Sequence, residues 1–173
     1  MDDRRAWQLV RWLLLLALSA LVSSNELVLI SQPVATAAGN ELSPPPTLQL
    51  EDGAGTVLHH VNSGFVSVYI SDNPRLYAHL SGASGLAFPI VGGVITCTGL
   101  SIDLVAAGYT LTFVSLSFGV QTTSHPFDIL LGLPHTIALT TALGATTGGS
   151  PFAPQPSVSI VDKGGNVVHS VSA

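Results

Sequence analysis

Charge is scarce in this sequence, and charge of one sign is nearly missing. Of 173 residues, 9% are charged. Three of the five basic residues, Arg4, Arg5 and Arg11, crowd the N-terminus. Beyond residue 24 only Arg75 and Lys163 remain, facing Glu26, Glu41, Glu51, Asp52, Asp72, Asp103, Asp128 and Asp162. Two cations cannot neutralise a run of phosphates, which excludes nucleic acid as a partner. Cysteine is almost absent. The lone Cys97 allows no intrachain disulfide, so any domain here is held by its apolar core. Within Val94-Ile95-Thr96-Cys97 the thiol reads as a small buried hydrophobe rather than a bridge to another chain. Glycosylation sequons are missing as well: Asn25, Asn40, Asn62, Asn73 and Asn166 all lack the required Ser or Thr. After residue 24 no stretch has helical periodicity.

The first thirty residues are of another kind. A basic segment ends at Arg11, and Leu13 to Val22 is an apolar run closed by Ser23-Ser24. Basic, apolar and small-residue segments in that order make a secretory signal peptide, here a helix over 1–24 with cleavage near Ser24. The apolar run is short of the roughly 20 residues a membrane span needs. A retained anchor is the competing reading, because Leu27-Val28-Leu29-Ile30 adds apolar length after a polar break. Ala35-Thr36-Ala37 is a second site of cleavage type.

The remainder of the chain carries most of the Gly (17 in all) and Pro (11 in all), set between short alternating runs. Thr47-Leu48-Gln49-Leu50-Glu51 turns Leu48 and Leu50 to one side, and Val66-Ser67-Val68-Tyr69-Ile70 does the same. Tyr109-Thr110-Leu111-Thr112-Phe113 also alternates, while Leu76–Leu80 and Leu86–Phe88 are weaker strand patterns. Period-2 runs about ten residues apart predict an all-β sandwich of about seven strands.

Self-comparison adds construction. At an offset of 110, the segment from Leu27 to Ser63 lies on that from Ile137 to Ala173 without a gap and with eleven identities. These include Gly39 with Gly149, Pro44 with Pro154, Asp52 with Asp162, Gly55 with Gly165 and His59 with His169. Both copies read as a strand, a small-residue loop, a Pro-marked strand start, a strand and an Asp-x-x-Gly turn. Asp first and Gly fourth is type I turn chemistry. The expected organisation is a signal peptide over 1–24, one repeat over 25–131 and an incomplete second repeat over 132–173. The chain is then expected to be the N-terminal piece of a longer protein.

Leu100-Ser101-Ile102-Asp103, followed by Gly108-Tyr109-Thr110-Leu111, is similar to a corner of immunoglobulin-like domains in which a Tyr hydroxyl bonds back to the backbone. Tyr109 would take that part, and Leu111 stands where such domains carry a disulfide cysteine. Together with Pro154-Gln155-Pro156, Val158–Gly165-Asn166 and Ser124-His125-Pro126-Phe127, the chain from 26 on resembles the tandem immunoglobulin-like repeats of large bacterial and protist surface proteins. The first copy departs at Pro45, for Gln155, and at Thr56, for Asn166. The resemblance implies an extracellular spacer or adhesion module, secreted or on the cell surface. It implies neighbouring repeats and a protein or glycan as partners, with the membrane reached only through the signal segment or a downstream anchor.

No catalytic, cofactor or metal set is expected. His59-His60 on a strand would point to opposite faces. Asp52 or Asp162, even with Glu51, offers too few oxygens for calcium. No nucleophile elbow, phosphate loop or zinc helix motif occurs. The residues singled out are structural: Asp52, Gly55, Cys97, Tyr109, Leu111, Asp162 and Gly165. A ligand-binding domain using loops at one end, or an accessory region of a larger receptor or enzyme, are the alternatives.

Overall fold

The computed structural model describes residues 24–169. The stretch expected to be a signal helix lies almost wholly outside them. The described residues form strands β1 (Glu26–Ser31), β2 (Thr36–Ala37), β3 (Thr47–Glu51), β4 (Phe65–Asp72), β5 (Leu80–Gly82), β6 (Ala87–Pro89) and β7 (Val94–Thr96). After these come β8 (Leu100–Ile102), β9 (Ala106–Ser115), β10 (Val120–Thr123), β11 (Phe127–Leu130), β12 (Thr136–Thr141) and β13 (Ser157–Val161). The fold is all-β, and among the described residues no helix is long and apolar enough to cross a membrane.

One sheet runs β1-β3-β7. The chain beyond β7 stays along the same neighbour: Cys97 N–H donates to Pro46 O at 2.9 Å and Leu42 N–H to Leu100 O at 2.7 Å. β8 then carries β5 on its edge. The other sheet runs β2-β11-β9-β4-β6, with β10 also on β9. All its pairs are antiparallel except β2 with β11, where Ile129 stands beside Thr36. The alternation explains the packing. Val66 and Val68 of β4 point inward with Leu111 and Phe113 of β9, and meet Leu27, Leu48, Leu50, Ile95, Leu100 and Ile102 from the facing layer. Burying such side chains is the main stabilising term, at roughly 1.5–3 kcal/mol each.

Between residues 26 and 130 there are more, shorter strands than the expected seven. One cause is local: Gly92 and Gly93 at positive φ turn the chain just before β7, and Gly99 at positive φ separates β7 from β8. Leu76–Leu80 is not a strand. Pro74 has no N–H for a ladder, the chain turns with Ala78 N–H on Arg75 O at 2.7 Å, and only Leu80 enters β5. The alternation of β9 also breaks. Thr112 is buried between Tyr69 of β4 and Thr123 of β10. Its hydroxyl is bonded to that of Thr123 at 2.8 Å, which satisfies both.

β12 and β13 form a hairpin of their own. Its register, Thr136 with Val161 through Leu139 with Val158, is that of β1 with β3, Glu26 with Glu51 through Leu29 with Leu48, moved by 110 positions. The irregularity after Leu29 recurs after Leu139. Ser43-Pro44 and Ala153-Pro154 are both cis.

Candidate functional site

Each hairpin leads into an Asp-x-x-Gly turn, and the two turns close alike. Gly55 N–H donates to Asp52 O at 2.9 Å, and Gly165 N–H to Asp162 O at 3.1 Å. Asp52 Oδ1 accepts from the Ala54 and Thr56 amides, both at 2.9 Å. Asp162 Oδ1 accepts from the Gly164 amide at 3.0 Å and the Asn166 amide at 2.8 Å. Gly55 and Gly165 sit at φ 78° and 90°, a region that favours glycine.

Their surroundings differ. Asp52 faces outward. Asp162 is buried, and its Oδ2 accepts from the amide of Gly132, in the segment that joins the two copies, at 2.9 Å. Asn166 reaches further. Its Nδ2 donates to Asp103 O at 2.7 Å and to both carboxylate oxygens of Asp162 at 3.0 and 3.2 Å. Its Oδ1 accepts from Val105 N–H at 3.1 Å. Gly164 lies against Asp103 O and Ala38, and Gly39 against the Lys163–Gly164 backbone. The turn is therefore seated on the corner between β8 and β9. Beside it runs a groove of about 410 Å³ lined by Asn40, Leu131, Pro134, His135 and Lys163.

The electrostatics follow from the donors. The Thr56 and Ala54 amides hold Asp52 below the usual carboxylate value. Burial pushes Asp162 up, but the N–H groups of Gly132, Asn166 and Gly164 outweigh it and hold the group low. Asp162 is thus an anion ringed by N–H donors. It has no proton to transfer at neutral pH, and a cation would have to displace the Asn166 amide.

The receiving corner is pinned by Tyr109. Its buried hydroxyl donates to Leu104 O at 2.8 Å, between the two residues that Asn166 holds. Burial and the charge of Asp103 raise its pKa, with Arg75 opposing. Its ring lies 6.4 Å from that of Phe127.

No protein-family model matches the chain, and no curated protein matches it. Among solved structures, the crystal structure of the S-layer protein rSbsC is similar to it at 19% sequence identity, with a TM-score of 0.39. The similarity covers 85% of this chain and 17% of that one, so the chain spans less than a fifth of its length.

Of the residues singled out in the sequence, Asp162, Gly165 and Tyr109 come together at this corner. Asp52 and Gly55 form the equivalent turn of the first copy. Leu111 is fully buried, with its N–H on Ser124 Oγ at 3.0 Å. Cys97 is a buried free thiol, pushed up to about 12 by burial. His59 and His60 lie in a turn, His59 with Nδ1 3.1 Å from Gly92 O. Among the described residues no group of three or more His, Cys, Asp or Glu could hold a metal. The sequence marked Asp103 and Asn166 only as motif residues, and gave neither them nor Gly132 and Gly164 a part in a joint. The departure of Thr56 from Asn166 was the visible signal. A second surface is the tip Arg75-Leu76-Tyr77, where Tyr77 is 81% exposed beside a cleft of about 340 Å³.

Proposed function

We propose that this chain is a non-catalytic structural module of the cell exterior, built from immunoglobulin-like units in tandem. The observation that carries the reading is the Asn166 side chain bonded to Asp103 and Val105, more than sixty residues away. A contact of that kind fixes one unit on the next. The fold supports an immunoglobulin-like unit: β1-β3-β7 faces β2-β11-β9-β4-β6, with β2 parallel to β11, and Tyr109 is bonded back to Leu104. The departure is β5, which precedes β6 in the chain yet lies on β8. The units are residues 25–131 and the beginning of another over 132–173. The signal-like N-terminus supports secretion or surface display. Partners are neighbouring units and a protein or glycan. Stability local to each unit and its neighbour contacts suits a spacer.

Relaxation of backbone amides by NMR tests the joint. A spacer requires β12–β13 to tumble with β4 and β9 as one body. Independent tumbling would sink the reading. Export of a reporter fused after residues 1–24 tests the location.

The Arg75–Tyr77 tip favours a second reading, a ligand-binding loop at one end of the unit. An exposed aromatic beside a cation is a common sugar-facing or protein-facing pair. Binding to a glycan array that is lost in Tyr77→Ala would move this reading ahead of the spacer.

A further inference from the structure

The two turns share their backbone bonds but differ where the second touches a neighbour. Ala54 stands where the second copy has Gly164, and Thr56 where it has Asn166. Neither difference is needed to close the turn, since Ala54 and Thr56 close it with the same amides. Both differences matter for seating. A Cβ on residue 164 would collide with the Asp103 carbonyl and lie 2.8 Å from the Ala38 Cβ. A Thr at 166 ends at Oγ, one bond short of the amide, and its single O–H cannot replace an NH2 that donates to Asp103 O and to Asp162 while the amide oxygen accepts from Val105 N–H.

We propose that the Asp-x-Gly-x-Asn turn of the second copy is a docking key for the β8–β9 corner of a preceding unit. Residues 164 and 166 determine its fit. The first copy's turn, with Ala54 and Thr56, is a blunt version that does not seat on a unit of this kind. The joint therefore has one direction, key onto corner. This deepens the tandem reading and rests on it.

The test uses the full chain with Asn166→Thr and Gly164→Ala, against Thr56→Asn and Ala54→Gly. Two readouts separate docking from turn formation. One is exchange of the Gly132 and Gly165 amides; the other is the orientation of β12–β13 relative to β4–β9 from residual dipolar couplings. In the 164 and 166 variants Gly132 should exchange about tenfold faster or more, corresponding to about 1.4 kcal/mol, and the fixed orientation should be lost. Gly165 should stay protected by its own turn. The 54 and 56 variants should leave the joint unchanged. Unaltered orientation and Gly132 exchange in Asn166→Thr and Gly164→Ala would overturn the key alone. Equal loosening by the 54 and 56 variants would also overturn it. Independent tumbling of the hairpin in the unaltered chain would overturn the key and the spacer together.

Discussion

The β1–β3 and β12–β13 hairpins have the same register, the same irregularity and the same turn, yet opposite surroundings. Leu27, Leu48 and Leu50 are 2%, 0% and 0% exposed; their counterparts Ile137, Val158 and Ile160 are 68%, 63% and 51% exposed. In the first copy β4, β9 and β11 cover the apolar face. Among the described residues the second hairpin has no counterpart of those strands. Its buried positions are instead Val161 and Asp162, and Asp162 meets the joint at Gly132. Local sequence therefore sets pairing and turn, while burial is set by what lies across.

The comparison is sharpest in a pair of truncations. Leu50→Ala should destabilise the chain by about 2–5 kcal/mol in chemical denaturation, because it leaves a cavity in a closed core. Ile160→Ala, at the equivalent position, should cost about 0.5 kcal/mol or less. Equal costs would mean that the second hairpin has a hidden partner in solution.

Tyr109→Phe comes next. It leaves the Leu104 carbonyl unpaired and should cost about 1–2 kcal/mol. Leu104 lies between Asp103 and Val105, so the same change should speed exchange of Gly132 although neither residue touches the other. A loss of stability with Gly132 unaffected would uncouple corner from joint.

Acid distinguishes the two aspartates. Both are held below the ordinary value of 3.8. A depressed folded pKa gives stability that is complete above that value and is lost as pH falls below it through the folded pKa. Protonation of Asp52 should loosen only its own turn. Protonation of Asp162 takes away the charge that strengthens its bond from Gly132 N–H, so the joint should loosen, visible as faster Gly132 exchange. Asp162→Asn should abolish that acid dependence; its persistence would point to another group.

The smallest expected change is at Cys97. Labelling of the native chain by a thiol reagent at neutral pH should be slow and track opening of the core, since the thiolate is both buried and scarce. Rapid labelling would show that the β3–β7 layer opens locally.

Much of this was legible in the sequence because it is set by neighbours along the chain. Alternation placed Leu48, Leu50, Val66 and Val68 inside, and the Asp-x-x-Gly spacing specified a turn whose glycine adopts positive φ. Tyr109 was legible through the resemblance of Leu100–Asp103 and Gly108–Leu111 to an immunoglobulin-like corner. The joint was not. Asn166 and Asp103 are 63 residues apart in sequence, and the motif each belongs to says nothing of the other. Gly164 is explained only by a carbonyl that the fold brings against it. Thr112 broke its alternation because strands on both sides supplied a second cover. At 76–80 the turn that follows Pro74 overrode an apolar pattern that read as a strand.

The seat of Asn166 on Asp103 and Val105 joins unlike surfaces, so no two-fold axis relates the partners. Were the proposed units to repeat, such a contact would apply the same rotation and shift each time, and the path it traced would be a screw. Its handedness and pitch would then be set by the seating of a five-residue turn. An alteration at one such turn would bend the path at that place and leave the winding on either side as it was.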